Sequence, residues 1–178
     1  LAPRATFEEV VHLLWHDRLP DAQELAALRE ALASRRNLPC ATLDLLAATA
    51  REQLPPMDAL RMAAGTLDLQ LPADERSDRG LALALLARLP TVAAAYWRLR
   101  KGCEPVAPDP SLGHAANYLY MLFGERPSTA AVRGLETYLN TVADHGLNAS
   151  TFTCRVIVAT RSDLVSAVTG AIGALKGP

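Results

Sequence analysis

Strand-like alternation of apolar and polar residues occurs nowhere in this sequence, and aromatic residues supply only 5% of it. The first absence argues against a sheet-containing fold. Cysteine is scarce: Cys40, Cys103 and Cys154 are odd in number and far apart. They form neither a disulfide framework nor a metal-binding pattern and read as small apolar side chains in a reducing compartment. No basic block is present and the net charge is −1, which argues against a nucleic-acid or anionic-membrane surface. No uncharged apolar run approaches the roughly 18–20 residues that span a bilayer; Arg88 and Pro90 interrupt the most apolar region. The start, Leu1-Ala2-Pro3, lacks the basic head and apolar centre of a signal peptide and reads as the start of a fragment. A glycine-rich phosphate loop, a Ser/His/Asp or Cys/His nucleophile set and a fixed-period repeat are also missing.

What is abundant is alanine and leucine. Half of the 178 residues are hydrophobic, enough for one domain with a real core or for part of a larger one. Strong helix formers without β-branched runs predict an all-α fold. Thr6-Phe7-Glu8-Glu9 reads as a capping box, and Phe7, Val10, Val11 and Leu14 follow at helical spacing. Asp21 is a plausible N-cap for a helix carrying Leu25, Leu28 and Leu32. Further helices are expected over 42–53 and from Leu60 to Leu67. Residues 73–101 read as one long helix or two joined at Pro90. Others are expected over 111–123, 128–144, 149–160 and 162–176. Short loops predict antiparallel neighbours.

Four histidines are present. His12 and His16 flank Trp15 on the first helix and read as surface or boundary residues, with no carboxylate at obvious ligand spacing. His114 reads as structural. No zinc site is expected. His145 differs: it ends an amphipathic helix, Gly146 permits the left-handed turn that stops it, and Asn148 is a favoured N-cap for the next helix. An imidazole there would face a junction. Read from the residues alone, His145 is a C-capping side chain and Asn148 a simple cap, and either can also face a cleft. The last helix is nearly bald, with Gly170 and Gly173 among Ser, Thr and Ala. Glycine inside a helix costs on the order of 1 kcal/mol, so a close helix contact is expected, within the domain or across a subunit interface.

The segment Asp144-His145-Gly146-Leu147-Asn148-Ala149-Ser150-Thr151-Phe152, with Ala171-Ile172-Gly173-Ala174-Leu175-Lys176-Gly177-Pro178, resembles the citrate synthase family of the bacterial short-chain type. Thr6-Phe7-Glu8-Glu9-Val10, Arg18-Leu19-Pro20, Leu89-Pro90-Thr91-Val92-Ala93-Ala94 and His114-Ala115-Ala116-Asn117-Tyr118-Leu119-Tyr120-Met121 are similar to further family segments, in order along nearly the whole chain. The resemblance implies a multi-helical large domain over residues 1–178, lacking the small domain and the N- and C-terminal segments. It implies a homodimer through helices near 56–69, 111–123, 149–160 and 162–176. It implies a cytoplasmic acyltransferase that condenses oxaloacetate with acetyl-CoA, acetyl-CoA being a substrate and no cofactor being bound covalently. His145 would bind oxaloacetate, with Asn148 in a supporting role. The family's catalytic His and Asp segments lie beyond Pro178, so no catalytic residue is assigned and the chain alone is expected to be inactive. Val142 stands where family members often carry a further His, which leaves open a divergent relative, such as a 2-methylcitrate synthase using propionyl-CoA; interface helices kept without the active-site half leave open a non-catalytic dimerisation module. No metal, nucleic-acid or membrane partner is expected.

Overall fold

The computed structural model describes residues 2–144 and 146–176. Among them there are nine α-helices, one 3-10 turn and no strand. α1 (Phe7–His16) starts where Thr6 accepts from Glu9 N at 3.3 Å and Glu9 accepts from Thr6 N at 2.6 Å. α2 (Ala22–Ala33) repeats that device with Asp21 and Glu24. α3 (Cys40–Arg51) and α4 (Pro56–Ala64) each begin after a proline, whose fixed φ suits a helix entry. α4 ends short of the expected Leu67, and residues 65–70 continue as turns.

α5 (Asp78–Arg100) runs unbroken for 23 residues, about 34 Å, through Pro90. It is the hub: α2, α3, α4, α6 and α9 all pack on it. Leu81, Ala84, Leu85, Val92 and Tyr96 meet Leu46, Ala59, Ala63 and Leu67 in the larger core cluster. Leu83 and Ala87 meet Phe7, Val11, Leu28 and Leu32 in the smaller. By length and composition α5 could cross a membrane, although 67% of its most apolar window is buried inside the fold. Arg88, which interrupts that apolar stretch, lies inside the fold. Its guanidinium donates to the carbonyls of Arg35 (3.2 Å), Leu67 and Leu69 (3.3 Å). Burial holds its pKa below the ordinary arginine value.

α6 (His114–Phe123) has no local side-chain cap. Glu8 of α1, 1% exposed, supplies the acceptor instead: its Oε1 takes the His114 amide at 2.9 Å. A carboxylate there also complements the positive end of the helix dipole. α7 (Thr129–Val142) packs on α1 and α6 and donates from Asn140 Nδ2 to Ala5 O at 2.8 Å. α8 (Ala149–Ala159) packs on α9 (Leu164–Leu175), which in turn lies on α4 and α5. The bald helix therefore makes close contacts within the chain. A Cβ on Gly170 would stand 2.3 Å from Ile157 Cδ1, whereas one on Gly173 would meet Arg61 Cδ at 3.7 Å, ordinary contact.

One histidine departs from the sequence reading. His12 is not a surface or boundary residue but 6% exposed, because α2 folds back over it at Arg18–Pro20. Its Nδ1 donates to Arg18 O at 3.0 Å and its Nε2 lies 3.8 Å from Glu24 Oε2. Glu24 is thus the acid that sequence spacing did not reveal. It is already held by the Arg18 guanidinium and the Asp21 amide, which keep its pKa low, at about 2. His16 is exposed, as expected.

Candidate functional site at the α7–α8 junction

Local chemistry shapes this junction. α7 leaves the helical path after Val142 and Ala143. Gly146 then takes φ +85°, a left-handed conformation that costs glycine little. Its amide donates to Asp144 Oδ1 at 3.2 Å, and its carbonyl accepts from Asn148 N at 3.1 Å. Asn148 N-caps α8: its Oδ1 accepts from Thr151 N at 2.8 Å and from the Ser150 hydroxyl at 2.7 Å. Gly146 is left-handed and Asn148 caps α8, as expected, but α7 ends earlier than expected, at Val142 with Ala143 as its C-cap, so Gly146 is not what stops it.

The junction is open. Val142, Asp144, Gly146 and Leu147 are all exposed, Leu147 at 61%. Beside it, Ala143 helps line an apolar hollow of about 340 Å³ with Phe7, Leu14, Trp15, Leu86 and Leu164. His145 lies outside the described residues. Asn148 is placed at the junction, with its side-chain oxygen committed to holding the start of α8.

The other histidines are not brought here. His114 is buried between α1 and α6, its ring stacked on Phe7 with centroids 4.7 Å apart. Desolvation pushes its pKa down to about 4, with Glu8 opposing and Arg36 adding to the fall. That ring is neutral at pH 7 and structural. Arg36, 2% exposed, donates to Asp109 O at 2.9 Å. The buried group of Glu8, Arg36 and His114 was missed by sequence reasoning, since its members lie far apart in the chain. No cluster that could hold a metal is found among the described residues.

Comparison with known proteins agrees with this architecture. A family model described as "Citrate synthase, C-terminal domain" matches residues 1–178. The chain is 45% identical to Citrate synthase 2 of Bacillus subtilis (strain 168), with all of this chain and 49% of that protein aligned. It is 44% identical to a 2-methylcitrate synthase of Mycobacterium tuberculosis, over 99% of this chain and 45% of that protein. The crystal structure of citrate synthase from Pyrobaculum aerophilum superposes on it with a TM-score of 0.90 at 39% identity, covering all of this chain and 47% of that one. The chain spans about half the length of the relatives it matches. With the family model covering its whole length and the helices in the same arrangement as a solved relative, this chain belongs to the citrate synthase family.

Proposed function

We propose that residues 1–178 form part of the large domain of an acyltransferase that condenses oxaloacetate with acetyl-CoA to a citryl thioester, which water then cleaves to release citrate and CoA. The observation that carries this reading is that Asp144, Gly146 and Asn148, which flank His145 in sequence, stand at an open break between two helices beside an apolar hollow. His145 would donate a hydrogen bond to an oxaloacetate oxygen and draw electron density from the carbonyl under attack. Asn148, through its cap, fixes where α8 begins. The base that deprotonates the thioester methyl comes from a family segment outside these residues. No bound cofactor enters the reaction, and both substrates are small cytoplasmic metabolites.

A second reading favours propionyl-CoA and 2-methylcitrate, because relatives named for each reaction stand at 44–45% identity. Thiol release by the full-length protein, measured with oxaloacetate and either thioester, separates the two by their ratio of kcat/KM. Residues 1–178 alone should show negligible release, and family-like turnover by that piece would overturn the assignment. In the full-length protein, His145→Ala should raise KM for oxaloacetate at least tenfold and leave KM for the thioester little changed. An unchanged oxaloacetate KM would remove His145 from the site.

We also propose a twin-subunit assembly through α4, α6, α8 and α9. What supports it is α8: it carries Phe152, Val156, Ile157 and Val158, yet has no buried residue.

A further inference from the structure

α4 and the second half of α5 do not close fully on one another. They leave a cleft of about 540 Å³ lined by Met57, Leu60, Val92, Ala93, Tyr96 and Trp97. That volume lies within the roughly 300–1,000 Å³ of small-molecule sites. The walls are almost all carbon. The Tyr96 hydroxyl is already spent on Leu54 O, which leaves the Trp97 indole N–H as the remaining strong donor on these walls, too little for a sugar or a base.

Two cations complete the lining, Arg100 and Lys101. Arg100 Nη1 donates to Leu54 O at 2.9 Å, which leaves the rest of its guanidinium fork uncommitted. Lys101 Nζ lies 4.3 Å from the centre of the half-exposed Trp97 ring. Among the described residues, neither stands within ion-pair distance of a carboxylate. Asp58, next to Met57 on α4, is taken by Lys176 and Arg61. An apolar cleft with two unneutralised cations at one end is complementary to a molecule with a carbon tail and an anionic head.

The cleft is not the junction site. The hollow beside the junction uses α5 between Ala82 and Leu89, whereas the cleft uses Val92 to Lys101. Leu86 and Trp97 are about 16 Å apart along the helix axis.

We propose that this cleft binds a medium-chain acyl carboxylate, its tail between α4 and α5 against Val92 and Trp97 and its head at Arg100 and Lys101. The site does not depend on the reading of the α7–α8 junction. The test is calorimetric titration of the full-length protein with hexanoate, octanoate and decanoate below their micellar concentrations. Binding should be saturable with one site per chain and tighten about fourfold per added methylene, the gain expected for burying each CH₂. Decanol should bind at least tenfold more weakly than decanoate. Lys101→Gln, an exposed change, should weaken decanoate severalfold and leave decanol unchanged. Ala93→Phe should fill the cleft and abolish binding of both, with circular dichroism reporting on its folding. Decanol bound as tightly as decanoate, or decanoate bound undiminished by a folded Ala93→Phe, would overturn the proposal. So would no binding at all, the result expected if a second copy or another part of the protein covers the cleft.

Discussion

His114 shows how a single buried ring couples fold to pH. It stacks on Phe7 beneath the start of α6, faces Glu8 from α1 and Arg36 from the turn after α2, and has a pKa of about 4 against an ordinary 6.5. The unfolded chain takes up that proton first. Between about pH 6.5 and 4, acid therefore favours unfolding; below 4 the folded ring is protonated too and the loss stops. The span corresponds to on the order of 3 kcal/mol at one proton. Urea denaturation of His114→Phe, which keeps a stackable ring without the titration, isolates this term from the carboxylates both proteins share. The stability of wild type relative to the variant should fall by about 2–3 kcal/mol from pH 7 to pH 4. A constant difference across that range would mean the ring gains its proton equally well in both states.

At the scale of elements, the α8–α9 pair turns on Gly170. Alanine in its place should gain about 1 kcal/mol of helix propensity, but its Cβ would fall 2.3 Å from Ile157 Cδ1. Rotating Ile157 away costs on the order of 1 kcal/mol, so Gly170→Ala alone should be near neutral. With Ile157→Ala removing the obstacle, the same change should stabilise by about 1 kcal/mol. A double-mutant cycle should therefore show coupling of roughly 1 kcal/mol, and strict additivity would mean the two helices do not meet there. This contact also shows what the sequence could and could not say about elements. Caps are local, so Thr6 and Asp21 marked helix starts correctly, whereas α4 begins at Pro56, ahead of the expected Leu60. The two glycines announced a close approach, yet only one makes it, and which one depends on where Ile157 lands. His12 was misread for the same reason: α2 covers it. The burial of Arg88, satisfied by carbonyls at Arg35, Leu67 and Leu69, was likewise not legible in the sequence.

For the whole molecule, the α7–α8 junction was legible because Gly146 and Asn148 act within a few residues, while the hollow beside it, assembled from α1, α5, α7 and α9, was not. The same contrast governs the outer face of α8. Its apolar residues were visible in the sequence; that, among the helices of the described residues, α9 alone packs on α8 is visible only in the fold. Phe152 and Val156, four apart on one side of that helix, are 58% and 49% exposed. Burying a large apolar side chain against a second chain is worth roughly 1.5–3 kcal/mol, and a symmetric interface counts each substitution twice. Placing a carboxylate at position 152 removes that gain and adds the cost of desolvating a charge. Phe152→Asp should therefore convert a dimer of the full-length protein to monomer at micromolar concentration in sedimentation velocity, with its helical circular dichroism retained. Because α8 has no buried residue, the substitution should leave the unfolding of the separated chain within about 0.5 kcal/mol of wild type. A variant that stays dimeric would place the subunit contact on another face, and a wild-type protein that sediments only as monomer would remove the twin-subunit reading altogether.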